Sequence, residues 1–152
     1  MKKIFFILFP FLSLTSFSQE VKVLDCDTCV YDLVALEDPP EFPGGNDAMT
    51  KFIISNIKYP SFSKENGIQG KVFITFIIDT MGNLTNIKVF KGITIPKDLQ
   101  DEKKIATYNK GAAELSEESL RVVRIMPKWS YGKVNGRSVR VRFILPFNFK
   151  LD

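Results

Sequence analysis

The last stretch of the chain alternates between apolar and other side chains. Over residues 139–151 every second residue is apolar, and the positions between them hold Arg140, Arg142, Ile144, Pro146, Asn148 and Lys150. This alternation is typical of a β-strand with one buried face and one solvated face. Pro146 lacks an N–H, and prolines in sheets lie on edge strands or at bulges. The pattern therefore predicts a long C-terminal edge strand with a basic outer face, which could accept a partner peptide as an added strand.

The N-terminal residues have the composition of an export signal. Residues 1–18 begin with Lys2 and Lys3, continue with an apolar run over residues 4–14 and end with small residues. The run is shorter than the roughly 20 residues that a membrane-spanning helix needs, and Pro10 interrupts it. We therefore expect a cleaved signal peptide and an exported, soluble protein. The alternative is an uncleaved membrane anchor.

Charge is distributed unevenly along the chain. Residues 20–48 carry eight acidic side chains and one basic side chain, whereas residues 121–152 carry eight basic side chains and one acidic side chain. A basic C-terminal face suits an acidic partner, and without a nucleic-acid motif an acidic peptide is preferred over nucleic acid. The alternative is a solvated face whose charge protects an edge strand from aggregation.

The sequence lacks the side chains that most enzymes and metal sites need. It has no His, no nucleophile elbow, no phosphate-binding loop and no dinucleotide fingerprint, so we predict neither an enzyme nor a cofactor. Cys26 and Cys29 are the only cysteines, and a local disulfide is the expected state after export. A structural zinc site takes four ligands, so no metal site is predicted.

The middle of the chain contains helix and hairpin signals. Asn46 is a candidate N-cap for a helix that runs to about Asn56, and Tyr59-Pro60 should stop it. Residues 72–79 and 84–91 are predicted to form a hairpin across a turn that contains Gly82. Residues 30–36 are rich in strand formers and are a candidate additional strand.

The second half should contain one more helix. Residues 92–114 are polar and are interpreted as a long loop with a helical piece, inserted between the hairpin and the helix. Ser116 is the predicted N-cap of that helix, which Pro127 ends. The element order predicts an α+β two-layer sandwich, in which two helices pack on an antiparallel sheet of three to four strands.

Several local motifs, in this order, resemble the C-terminal domain of TonB proteins. The resemblance is closest to a branch that begins with Pro-x-Phe-Pro-Gly-Gly, which is Pro40-Glu41-Phe42-Pro43-Gly44-Gly45 here. The further matching segments are Asn56-Ile57-Lys58-Tyr59-Pro60, Gly67-Ile68-Gln69-Gly70-Lys71-Val72, Met126-Pro127-Lys128-Trp129, Asn135-Gly136 and Leu145-Pro146-Phe147-Asn148-Phe149. The resemblance covers residues 30–152, which we interpret as the domain, preceded by a signal peptide (1–18) and a polar leader (19–29).

The resemblance implies a periplasmic domain that binds outer-membrane receptors in TonB-dependent nutrient transport. In that family a receptor segment, the TonB box, adds as a strand beside the last strand of the domain. Carried over by motif, the binding positions are Lys58, Tyr59 and Pro60 together with Val139, Arg140, Val141, Arg142, Phe143, Ile144, Leu145 and Asn148.

Two departures from the family pattern bear on this function. Energy transducers of the family carry an inner-membrane helix with a functional His and a Pro-rich linker, and this sequence contains neither His nor a Pro-rich run. The resemblance therefore favours peptide binding over force transmission, and motor proteins of the inner membrane are expected partners only if residues 1–18 stay as an anchor facing the periplasm. The alternative function is a self-associating or regulatory periplasmic module, in which the acidic N-terminal stretch, residues 20–41, lies against the basic face near Arg140 and Arg142 or two edges pair in a homodimer.

Overall fold

A computed structural model describes residues 29–151, and the predicted signal peptide, residues 19–28 of the leader and Asp152 lie outside the described residues. The strands are β1 (Val30–Asp32), β2 (Gly70–Ile78), β3 (Leu84–Lys91), β4 (Gly132–Val134) and β5 (Arg137–Phe149). The helices are α1 (Gly45–Asn56), α2 (Ser61–Glu65) and α3 (Glu102–Arg124), and a 3-10 turn, Leu33–Ala35, follows β1.

The strands form a mixed sheet in the order β1-β5-β2-β3, with β4 paired to the beginning of β5. β2 and β5 are antiparallel and pair without a register shift from Gly70↔Phe149 to Ile78↔Val141. β1 pairs with β5 in parallel. The α+β class is confirmed. The prediction of a purely antiparallel sheet is wrong, because β1 runs parallel to β5.

β5 is not an edge strand along its whole length, which corrects the prediction for residues 139–151. β1 pairs with residues 140–142, and Val139 pairs with Gly132 of β4. Within the described part of the chain, the edge of β5 opposite β2 is left unpaired from residue 143 to residue 149. We call these seven residues the open edge.

The core lies between one face of the sheet and the helices. Alternating residues of β2 and β5 are almost completely buried there: Val72, Ile74, Phe76, Ile78, Val141, Leu145, Phe147 and Phe149. Leu115, Val122 and Val123 of α3 belong to the same core cluster as all of these residues except Val141. The alternation predicted for β5 is therefore confirmed, because its apolar residues share the helix-facing side and Arg142, Ile144, Pro146 and Asn148 are exposed on the other side.

α3 is much longer than predicted, and Ser116 is not its N-cap. The helix begins after Asp101, whose side chain accepts a hydrogen bond from the Lys104 N–H at 3.0 Å. Ser116 lies inside the helix and donates to the Ala112 carbonyl. Residues 102–114 of the supposed insertion are thus helical, and only residues 92–101 connect the hairpin to the helix.

Two shorter predictions also need correction. The N-cap of α1 is Gly44 rather than Asn46, and Gly44 has a left-handed backbone with φ of +85°. Glycine adopts this conformation without the Cβ clash that other residues meet, so it can begin the helix earlier than Asn46 would. The candidate strand at residues 30–36 is limited to Val30–Asp32, because the chain bends into the 3-10 turn at Leu33.

The β2–β3 turn is packed against the segment that follows α3. Asp79 caps the turn by accepting hydrogen bonds from the backbone N–H groups of Met81 and Asn83. The backbone N–H of Trp129 donates to the Gly82 carbonyl at 2.9 Å. A Cβ on Gly82 would lie 2.0 Å from the Trp129 carbonyl oxygen. Gly82 is therefore required by its contact as well as by its φ of +83°.

Candidate functional site

The open edge is the part of the sheet best suited to receive another strand. Residues 143–149 are held on one side by a regular ladder with β2, which fixes their extended conformation. Their other side faces no strand within residues 29–151. An ordered strand with one unpaired side presents its remaining backbone donors and acceptors at the spacing that an added strand needs.

The opposite edge of the sheet, formed by β3, is less suited to this role. Its pairing with β2 contains two register shifts, and Asn86 lies there with φ of +51°. Lys88 and Lys91 are exposed on the same strand. Bulges and lysines are the features with which sheet proteins protect an edge from pairing.

The predicted binding residues of β5 divide into two groups by burial. The side chains of Val141 and Leu145 are buried in the core, so these residues can offer only backbone groups to a partner. Ile144, 39% exposed, and Asn148 are on the open face of the sheet and can contact the side chains of an added strand. Phe143 is half-buried beneath Trp129, with ring centroids 4.9 Å apart.

Tyr59 brings the loop after α1 to the end of the open edge. Its hydroxyl donates to the Ile68 carbonyl, and its ring meets Phe149 edge-on at 5.6 Å between centroids. Burial raises the pKa of the Tyr59 hydroxyl. Pro60 is half-buried and its carbonyl accepts from the Lys64 N–H in the first turn of α2. The two residues therefore have a structural role, and Tyr59 also lies against the last residue of the edge.

An ion pair on α3 holds this loop in place. Glu118 and Arg121 are joined by two hydrogen bonds of 2.7 and 2.8 Å. Arg121 donates to the Asn56 carbonyl at 2.6 Å, and Glu118 accepts from the Lys58 backbone N–H at 2.7 Å. Sequence reasoning missed both residues, although their spacing of three on a helix is a known signal for an ion pair.

Glu118 should make stability depend on pH. Hydrogen bonds from Arg121, and then from the Lys58 N–H, hold the pKa of Glu118 below its ordinary value of 4.5. The stabilisation is therefore complete above pH 4.5 and is lost as the pH falls through the lower pKa of the folded state. We expect Glu118→Gln to reduce the slope of unfolding free energy against pH in this acidic range, as measured by urea denaturation between pH 3 and pH 7.

The control for this prediction is Glu117→Gln. It removes the same charge from an exposed side chain one residue away. An equal reduction of the slope in both variants would contradict the role given to Glu118.

Part of the predicted binding surface is occupied by the chain itself. Val30, Tyr31 and Asp32 pair with Arg140, Val141 and Arg142 respectively. The Asp32 carboxylate lies 3.8 Å from Nη1 of Arg142. Val139 to Arg142 therefore do not form an open edge together with residues 143–149.

Other predicted features lie partly or wholly outside this site. Cys29 is disulfide-bonded, whereas Cys26 lies outside the described residues, so the Cys26–Cys29 pairing stays a prediction. Among residues 29–151, no cluster of three or more His, Cys, Asp or Glu side chains could hold a metal ion. In the same part of the chain, no helix combines the length and hydrophobicity required to cross a membrane.

The fold and the site of residues 29–151 define a small α+β domain in which, among these residues, one regular sheet edge is unpaired beside an anchored aromatic residue. Residues 55–102 match the family model of the Gram-negative bacterial TonB protein C-terminal, which supports the resemblance to this family. The family is not one of enzymes, in agreement with the prediction for this chain. Pro40 to Gly45 lie outside the matched residues, so the Pro-x-Phe-Pro-Gly-Gly branch stays a prediction.

Two solved structures are similar to this chain, both of them NMR solution structures of the Helicobacter pylori TonB C-terminal domain. The structure of its residues 179–285 is 24% identical, covers 72% of this chain and 89% of its own, and has a TM-score of 0.35. The structure of its residues 194–285 is 22% identical, covers 70% and 95% respectively, and has a TM-score of 0.33. Among curated proteins none matches the sequence.

Proposed function

We propose that this protein is a periplasmic, TonB-like domain that binds the TonB-box peptides of outer-membrane receptors by strand addition, in TonB-dependent nutrient transport. The observation that carries this proposal is the open edge, which is ordered by β2 on one side and unpaired on the other within the described residues. The family match at residues 55–102 supports the class of partner.

We assign different parts to the predicted binding residues. Backbone groups of residues 143–149 would pair with the receptor segment, and the side chains of Ile144 and Asn148 would contact it on the open face. Pro146 has no N–H to offer, so a partner strand should find one donor fewer there. Tyr59 supports Phe149 at the far end, and Lys58 stands in the same loop with its side chain exposed.

The test is an NMR titration of isotope-labelled residues 19–152 with N-terminal box peptides from outer-membrane receptors of the same cell. We expect the largest amide shifts at residues 143–149 and around Tyr59, with small shifts along β3. A strand that adds at this edge changes the hydrogen bonding of those amides directly. Absence of shifts with every receptor peptide at millimolar concentration would overturn the proposal.

A pair of matched variants sharpens this test. Ile144 on the open edge and Val89 on β3 are both β-branched, and their side chains are 39% and 36% exposed. Cross-strand contacts of such side chains contribute roughly 0.2–1 kcal/mol, so Ile144→Asp should raise the dissociation constant of a receptor peptide on the order of 2- to 5-fold. Val89→Asp should leave it unchanged, and the opposite ranking would place the binding edge on β3.

The second candidate function is a self-associating or regulatory periplasmic module without energy transduction. The observation that favours it is the contact of Asp32, from the acidic N-terminal part, with Arg142 of the basic strand. Deleting the acidic N-terminal stretch, residues 20–41, and measuring peptide affinity and sedimentation would distinguish the candidates. If neither quantity changes, this alternative fails.

Whether the protein contacts motor proteins of the inner membrane depends on whether residues 1–18 are cleaved. We propose a cleaved signal peptide and therefore no direct link to motor proteins of the inner membrane. The intact mass of the protein recovered from the periplasmic and the membrane fractions decides this point. A mass that includes residues 1–18, recovered with the membrane, would instead support an inner-membrane anchor facing the periplasm.

A further inference from the structure

β1 occupies the same edge of β5 that the proposed receptor segment would use. Its three residues pair with residues 140–142, and the chain then turns away at Leu33, where the open edge begins. The edge opposite β2 therefore has two consecutive parts, one covered by β1 and one open. An added strand that extends from the open edge onto residues 140–142 would have to displace β1.

β1 is held by few interactions. None of its residues is buried, and the following residues Leu33 and Val34 are 38% and 99% exposed. The Asp32–Arg142 ion pair joins side chains that are 74% and 51% exposed, and such surface pairs contribute little to stability. By contrast, β2 holds β5 by nine consecutive residue pairs and a buried core. β1 is thus held to β5 far less firmly than β2 is.

The register of β1 indicates which side chains this part of the edge accepts. Tyr31 pairs with Val141, whose own side chain is completely buried, so the tyrosine side chain lies on the same face of the sheet as that valine. Asp32 lies on the open face, with its carboxylate toward Arg142. An apolar or aromatic residue followed by an acid therefore suits both neighbours, the buried valine and the guanidinium.

We propose that β1 is an exchangeable strand, and that the complete binding surface for a partner is residues 140–149. The partner is an extended segment that runs parallel to β5, with an apolar side chain in the Tyr31 register and a carboxylate in the Asp32 register. This inference rests on the proposed function for the identity of the partner, but exchange of β1 itself needs no receptor. A tethered strand competes with a free peptide at a high effective concentration, so the native protein binds its partner more weakly than it would without β1.

Exchange can be measured with a synthetic probe. The probe is an acetylated and amidated peptide that copies residues 30–36, and the protein is residues 19–152 in its native form or with Asp32→Lys. Asp32 is exposed, so the variant should keep the fold, which its amide spectrum would show. Because the substitution replaces a weak surface ion pair by the repulsion of two cations, the resident β1 should detach more often, and we expect the probe to bind the variant about threefold more tightly than the native protein.

The charge requirement has its own comparison. A second probe with lysine at the aspartate position should bind the Asp32→Lys protein at least about threefold more weakly than the first probe. When Arg142→Glu is added to that protein, the preference between the two probes should reverse. Lys150→Glu, the same charge change at the exposed residue after β5, should leave the preference as it was. A preference that does not reverse with Arg142→Glu would remove Arg142 from the proposal.

The location of the shifts decides the remaining outcomes. Shifts at residues 140–149 on addition of the first probe, with release of the β1 amides, support exchange. Three outcomes overturn exchange. The first probe binds the native protein and the variant equally well, its shifts are confined to β3 or the helices, or it does not bind at millimolar concentration. If receptor peptides fail and the first probe exchanges, the proposed function fails and this inference stands. If receptor peptides shift only residues 143–149 while β1 stays paired, the proposed function stands and this inference fails.

Discussion

The substitution Gly82→Ala is expected to lower the free energy of unfolding by about 3 kcal/mol or more. A left-handed backbone conformation costs an alanine on the order of 1–3 kcal/mol, and overpacking a filled site costs a further roughly 1–3 kcal/mol. Both apply at this position, because φ is +83° and the new Cβ would lie 2.0 Å from the Trp129 carbonyl oxygen. Since that oxygen belongs to the backbone, relief requires the turn and the segment after α3 to separate.

Gly136→Ala is the matched control. Gly136 also has a positive φ, of +74°, but a Cβ there meets nothing within 4 Å. Only the backbone strain remains, and we expect a loss of about 1 kcal/mol in urea denaturation followed by circular dichroism. If both glycine variants lose the same stability, the contact between the β2–β3 turn and Trp129 does not contribute as described.

Trp129→Ala should have an effect of similar size for a different reason. The indole is 5% exposed and contacts the rings of Phe42, Phe76 and Phe143 with centroid distances of 5.7, 5.7 and 4.9 Å. Truncation of a buried tryptophan to alanine removes this contact area and leaves a cavity, which costs about 3–5 kcal/mol. The free energy of unfolding from urea denaturation measures the loss.

Trp129→Phe separates packing from the polar group. The indole Nε1 is buried and has no hydrogen-bond partner among the described residues. Phenylalanine fills most of the volume and removes this unpaired donor, so we expect its loss to be less than half of that for Trp129→Ala. Equal losses for the two variants would show that the aromatic contacts are not what stabilises this corner.

The sequence was most informative where a local pattern and the tertiary structure agree. The hairpin was predictable because two apolar strands flank a turn that contains Gly82, whose φ is +83°. Asp79, which was predicted to end the first strand, instead caps the turn. The alternation along β5 correctly indicated which side chains enter the core. The alternation in the sequence corresponds to the two faces of the folded strand, because one face of the sheet is covered by helices and the other is not.

α3 was underestimated because its buried face uses small residues that carry no hydrophobic period. Gly111 and Ala112 are buried, and a Cβ on Gly111 would lie 2.6 Å from Cγ1 of Ile68. A glycine at the centre of a helix normally argues against that helix, whereas here it allows close contact with the segment before β2. Only Asp101, as an N-cap, offered a local signal for the true start of the helix.

The candidate site was predicted in part. The strand and Tyr59 were found from the alternation and the motif resemblance, but the division of β5 into a covered part and an open edge was not. That division depends on a parallel pairing between Val30 and Arg140, whose separation in sequence exceeds any local pattern. The ion pair of Glu118 and Arg121 was missed because its partners, Asn56 and Lys58, are likewise distant in sequence.

The inequality of the two sheet edges also limits the stoichiometry of assembly. A sheet with two regular edges can add neighbours at both, and such contacts continue without end into a fibre. Among the described residues β3 is interrupted by register shifts, so the side beyond β5 is the better suited of the two to add a strand. If two copies pair through their β5 edges, neither copy keeps a free edge on that side. The assembly is then complete as a twofold dimer. For the same reason each copy can bind one extended peptide. That peptide competes with a second copy of the domain for the edge of β5.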